Sequence, residues 1–135
     1  MVLRQRVKGS PRNLGLHVRK TSMKSTFTVP GRPVPKERPR FNTRTGHAYT
    51  PRRTQEYESR VGWHARLARV PMSEGDVAVK ITLYGKRRSD ADNCAKSILD
   101  SLQGIAYVND KQVVRLQVEW QQGDERAEIE IEEAP

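Results

Sequence analysis

The chain has 135 residues, 35% of them hydrophobic, which suffices for one modest core and not for two. Lys plus Arg number 25 against 16 Asp plus Glu, a net charge of +9 that points to a polyanionic partner, with nucleic acid first among the candidates. Cys94 is the only cysteine, there is no CxxC, and no apolar run reaches the roughly 18 residues of a membrane span, so a disulfide framework, a structural zinc site and a membrane anchor are excluded and a cytoplasmic location is expected.

Residues 1–24 carry seven Lys/Arg and no acid among Gly, Ser, Pro and Asn, and read as an unstructured basic tail. The tail is either a DNA-binding arm or a consequence of start-site choice, since Met23 immediately precedes the patterned region. Ser25–Val29 reads as a strand. The proline-dense stretch from Pro30 to Phe41 forbids helix and favours extended chain. Lys36, Arg38 and Arg40 then alternate onto one side as a cationic row suited to phosphate. Thr50-Pro51 reads as an N-cap with Pro at N1, opening a helix from about Thr54 to Arg69 with Tyr57, Val61, His64 and Ala68 on one face.

Val77, Val79, Ile81 and Leu83 alternate with Ala78, Lys80, Thr82 and Tyr84 as a half-buried strand. Gly85–Ser89 is a basic loop. A second helix starts at Asp92, buries Ala95, Ile98, Leu99 and Leu102, and stops at Gly104. Val114, Leu116, Val118 and Trp120 make a third strand, and Ala127, Ile129 and Ile131 a fourth, the two joined as an antiparallel hairpin. Glu128, Glu130, Glu132 and Glu133 read as a solvated strand face. Trp63 and Trp120 are expected in the core. The order β-α-β-α-β-β describes one α+β domain over residues 25–135, with a mixed or antiparallel sheet and two helices.

The segment Arg87–Lys96 carries the chemistry. Asp90 and Asp92 are two apart at the head of a helix, and on extended chain both carboxylates would face one side. Two such carboxylates repel, and a hard divalent cation such as Mg²⁺ removes the penalty. The alternative is structural, with Asp92 capping the helix and Asp90 neutralising Arg87 or Arg88. Asp110, between the second helix and the third strand, is expected to return beside the pair as a third ligand. Lys96, one turn after Asp92 on the same face, would either pair with a carboxylate or offset charge on a transferring phosphate. Asp100 reads as structural.

These residues resemble the RusA family of Holliday junction resolvases, in its phage-borne branch. The resemblance rests on Asp90-x-Asp92-Asn93-x-x-Lys96, Leu99-Asp100-x-Leu102 and Asn109-Asp110-x-Gln112-Val113. Upstream, Pro35-Lys36-x-Arg38-Pro39-Arg40-Phe41 and Thr50-Pro51 with Thr54-x-x-Tyr57-Glu58 add to it, so that residues 25–132 are covered. It implies a homodimer that uses Mg²⁺, with Mn²⁺ as a substitute, to nick opposing strands of a four-way junction in a bacterial or phage-infected cell. It assigns catalysis to Asp90, Asp92, Asp110 and Lys96, and the metal to the three acids. No small-molecule cofactor is expected. Asn109 departs from members that have an acid there. DNA contacts are expected from Lys36, Arg38, Arg40, Arg44, Arg52, Arg53, Lys86, Arg87 and Arg88. The competing functions are a non-catalytic basic DNA-binding protein and a metal nuclease acting on forks, flaps or RNA.

Overall fold

The computed structural model describes residues 24–86 and 89–134. The tail ahead of Lys24, together with Arg87 and Arg88, lies outside the described residues. Strand β1 runs Lys24–Pro30, with Phe27 and Val29 turned inward and Thr26 and Thr28 outward. The proline-rich chain that follows is extended, as its composition requires. It lies along the second helix, tied by Lys36 N–H to the Asn93 carbonyl at 2.9 Å and by Ser97 Oγ to the Val34 carbonyl at 2.8 Å.

A small hairpin comes next, β2 (Arg40–Asn42) against β3 (His47–Tyr49), exposed throughout. Its turn is held by Asn42, whose side chain accepts from the amides of Arg44 and Thr45, and by Gly46 at φ 73°. Helix α1 spans Arg52–Leu67 and buries Thr54, Tyr57, Val61, Gly62 and Ala65. The helix is where the periodicity places it, but its phase differs at the C-terminal end. Ala65 faces the core where His64 and Ala68 were expected, and Trp63 is 60% exposed, which corrects its assignment to the core. Pro51 is the N-cap residue rather than N1.

Strand β4 (Val77–Tyr84) has the bounds its alternation predicts, and is buried on both faces for most of its length. Helix α2 (Ala91–Leu102) buries Cys94, Ala95, Ser97, Ile98 and Leu102, with Leu99 packed against the core. A 3-10 turn, Asp110–Gln112, precedes β5 (Val113–Gln121), and β6 spans Arg126–Glu133.

The main sheet has the order β1-β6-β4-β5. β6 is antiparallel to both β1 and β4, and β5 is parallel to β4. The expected β5–β6 hairpin is therefore absent, because β4 lies between them. β4-α2-β5 is a parallel crossover unit, which needs a helix to return the chain. The chain from Gln122 to Glu125 then steps over the end of β4, a span of roughly 10 Å from two inter-strand spacings. Gly85 N–H donates to the Gln121 carbonyl there, and Gly123 passes so close to the Tyr84 ring that a Cβ would sit 3.1 Å from it. β6 gains two neighbours by this route, and its Ala127 and Ile129 reach full burial.

Both helices cover one face of the sheet, α1 toward β1 and α2 toward β5. The core lies between, built from Phe27, Val29, Tyr57, Val61, Ile81, Leu83, Ile98 and Ile129 among others. The opposite face is polar. On it Glu130 pairs with Lys24, and Glu128 accepts from Tyr84 and Arg126, in keeping with a solvated acidic face.

Candidate active site

Asp90 is the N-cap residue of α2, on extended backbone, and Asp92 already lies in the first turn. The chain is thus not extended through the pair, and the two carboxylates share the head of a helix instead. Neither takes up the capping role in full. Asp90 makes no side-chain cap bond and accepts from Asn93 Nδ2 at 3.2 Å, while Asp92 accepts from the Asn93 amide at 2.9 Å. Both side chains are exposed, so each keeps acceptor capacity, and the helix N-terminus adds partial positive charge.

Lys96 is exposed and bonds forward to Asp100, Nζ to Oδ1 at 3.2 Å, rather than back to Asp92. The other oxygen of Asp100 meets Lys36 at 3.2 Å, and Lys36 also binds Glu58 of α1 at 2.7 Å. Lys36 therefore does not join a free cationic row. Its side chain is only 23% exposed, and it holds α1, the extended segment and α2 together. Arg38 and Arg40 beyond it are exposed. The reason is that half-buried Glu58 and Asp100 need counter-charge, and Lys36 is placed between them where it reaches both.

Asp110 does not come back beside the pair. Because β5 is parallel to β4, its N-terminal end lies beside the start of β4, whereas Asp90 follows the end of β4. Helix α2, about 18 Å long by its residue count, separates the two ends. Among the described residues no three of His, Cys, Asp or Glu gather closely enough to hold a metal ion. Asn109 has a local role: it accepts from Lys111 N–H at 2.9 Å while Gln112 Oε1 accepts from its own amide, a reciprocal cap on the turn that carries Asp110.

The donor set at the head of α2 fits a hard divalent cation. Two exposed carboxylates supply hard oxygen ligands, and Mg²⁺ ordinarily takes one or two carboxylates and completes its octahedron with water and phosphate.

The remaining cations sort by whether they are already paired. Arg52 binds Glu56 at 3.0 Å, an exposed pair that yields easily to a stronger partner. Arg38, Arg40, Arg44, Arg53 and Lys86 are exposed and form no ion pair among the described residues. Arg32 and Arg60, which no sequence motif singled out, likewise form no ion pair among the described residues and line one cavity with Arg53. Arg53 and Arg60 lie seven apart on one helix, two turns and so one face, which was the available signal. Buried Cys94 registers this arrangement. Burial pushes its thiol up to about 11, Asp90 and Asp92 add to the rise, and Arg53 and Arg32 oppose it. Positive and negative groups thus flank the same first turn. The β2–β3 hairpin, likewise unexpected from the sequence, carries Arg40 and Arg44 with the exposed rings of Phe41 and Tyr49. The spacing of Asn42 and Gly46 marked its turn.

A cationic surface that carries two unspent carboxylates suits a polyanion and a hard cation together, the combination of a metal-assisted enzyme of nucleic acids. A family model described as endodeoxyribonuclease RusA matches residues 30–132, and the chain belongs to that family. The family is one of endodeoxyribonucleases, hydrolases that act on DNA. A search among curated proteins found no match. No helix among the described residues is long and apolar enough to cross a membrane.

Proposed function

We propose that this protein is a Mg²⁺-dependent, structure-specific endodeoxyribonuclease that resolves four-way DNA junctions by paired symmetric nicks, acting as a homodimer in the cytoplasm. The observation that carries the reading is the pair of exposed, uncapped carboxylates of Asp90 and Asp92 at the head of α2, flanked by unpaired arginines.

Asp90 and Asp92 hold the cation, with Mn²⁺ able to substitute. A divalent cation bound there would lower the pKa of water and neutralise charge on the phosphate. Water attacks phosphorus in line and gives up a proton to solvent as the new P–O bond forms, while the bond to the 3′ oxygen breaks and that oxygen leaves with the electron pair and takes up a proton. The products are a 5′-phosphate and a 3′-hydroxyl, which a ligase can seal. Lys96 offsets negative charge on the phosphate as it transfers, and Asp100 keeps the ammonium in position. Arg38, Arg40, Arg44, Arg52, Arg53 and Lys86, with Arg87 and Arg88, hold the flanking backbone.

Asp110 enters through assembly. Within one protomer it stands a helix length from the pair, so a site that uses all three acids takes Asp110 from a second copy. Among the described residues β5 is an edge strand, with Val114 57% and Leu116 46% exposed. Two such edges paired antiparallel about a two-fold axis bring the start of one β5 beside the end of the other. At that end Trp120 Nε1 donates to the Ser89 carbonyl at 3.1 Å, next to Asp90. The two sites of such a dimer face in opposite senses, as two symmetric nicks require.

The test is a cleavage panel of four-way junction, fork, flap, duplex, single strand and RNA in Mg²⁺. Paired ligatable nicks in the junction, well above cleavage of the rest, are the expected result. Preferential cutting of forks, flaps or RNA would replace junction resolution with another substrate. No cleavage of any substrate would favour a DNA-binding role alone.

A further inference from the structure

Arg32, Arg53 and Arg60 line one open cavity together with Pro30, Gly31 and Val34, and no acidic residue lines it. All three guanidinium groups are exposed, and none forms an ion pair among the described residues. Three like charges around one hollow, with no counter-ion among the described residues, raise each other's energy unless an anion enters. Other unpaired cations, such as Arg38, Arg40, Arg44 and Lys86, do not gather around one cavity, and where cations do pair, as Lys36, Lys96 and Arg126 do, a carboxylate stands beside them.

Backbone geometry makes the cluster. Gly31 adopts φ 97°, and the Arg60 guanidinium lies against it, so that a Cβ there would stand 3.1 Å from Nη1. The Gly31 amide is fixed by the Glu125 carbonyl at 3.1 Å. Arg60 also lies over the Tyr57 ring, 5.8 Å from its centroid. The chain that carries Arg32 continues into the segment bound to Asn93 and Ser97 in the first two turns of α2. The hollow therefore adjoins the helix that bears Asp90 and Asp92.

We infer that this cavity is a phosphate-binding subsite, in which Arg32, Arg53 and Arg60 grip a backbone phosphodiester of the DNA strand that runs over the head of α2. The guanidinium fork suits that ligand, since it offers paired N–H donors to phosphate oxygens. The inference rests on the endonuclease reading for the identity of the polyanion. The subsite fixes the strand's register and carries no base information.

The experiment uses the full chain and a labelled four-way junction in EDTA, so that binding is read without cleavage. Arg32→Gln, Arg60→Gln and the double variant are compared with wild type over a salt series, with Arg66→Gln on α1 as control and thermal melts to verify folding. The double variant is expected to bind about tenfold more weakly, with the salt slope shallower by about one unit, and Arg60→Lys to keep most of the slope. Junctions with single methylphosphonates stepped along the strand then locate the phosphate that the arginines hold. One neutral linkage weakens wild-type binding and has no further effect on the double variant. A double variant with unchanged affinity and slope overturns the inference, as does full additivity at every linkage. Because binding is measured without turnover, these results stand apart from whether the protein cuts DNA.

Discussion

Lys36 and Lys96 meet on one carboxylate, with Asp100 Oδ2 3.2 Å from Lys36 Nζ and Asp100 Oδ1 3.2 Å from Lys96 Nζ. Glu58 closes the other side of Lys36, so a chain of four charges links α1 to the exposed lysine of α2. Lys36→Met leaves half-buried Glu58 without its cation and Asp100 with Lys96 alone, and is expected to cost roughly 1–3 kcal/mol, less than a fully buried pair. Burial lowers the Lys36 pKa, but its bonds to Glu58 and Asp100 outweigh burial and raise it overall above 10.5. A lysine raised in the folded state stabilises fully below its unfolded pKa, about 10.4, and loses that contribution as pH rises through the folded value. In thermal melts the gap between wild type and Lys36→Met should hold steady up to about pH 10 and close above it. A constant gap through pH 11 and beyond would remove Lys36 from the account of stability.

Arg38, Arg40 and Arg44 are expected to behave differently. Changing all three to Gln should leave the melt unmoved and weaken binding to every DNA shape. The salt dependence should flatten by about 0.9 for each phosphate that is no longer neutralised. Lys36→Met should leave that slope unchanged. Equal slopes for wild type and the triple variant would mean these arginines do not touch phosphate.

Assembly is tested on the β5 edge. Light scattering at micromolar concentration is expected to give a dimer for wild type and a monomer for Leu116→Glu, with folding retained because Leu116 is exposed. Mixed dimers of an Asp90→Asn protomer with an Asp110→Asn protomer should recover one nick per junction, since one of the two shared sites then has all its acids. Each variant alone should be inactive. A mixture as inactive as its parts would place Asp110 outside a shared site.

Strand β4 and helix α2 were legible because their apolar periods run over eight and twelve residues. The β2–β3 hairpin was not, since strands of three residues carry almost no period. The β5–β6 pairing was misread because adjacency in sequence favours a hairpin, while burial of β6 between β1 and β4 decided otherwise. That same parallel crossover moved Asp110 to the far end of α2, which no local pattern discloses. Asp90, Asp92 and Lys96 were legible as a motif. The occupation of Lys36 by Asp100 was not, because the partners lie on separate elements and meet only in the fold. Arg32 escaped notice for the same reason, since only the cavity brings it to Arg53 and Arg60, whereas the seven-residue spacing of those two on α1 was there to be read.

In the proposed mechanism Asp90 holds the metal at the point of cleavage. The most direct measurement is the rate of strand cleavage in a labelled four-way junction in Mg²⁺ by wild type and Asp90→Asn, with junction affinity measured in parallel. The change keeps the shape of the side chain and removes one ligand charge. Cleavage should fall to background while binding is unchanged or tighter, because a carboxylate no longer repels phosphate. An Asp90→Asn protein that cuts at near wild-type rate would contradict the account.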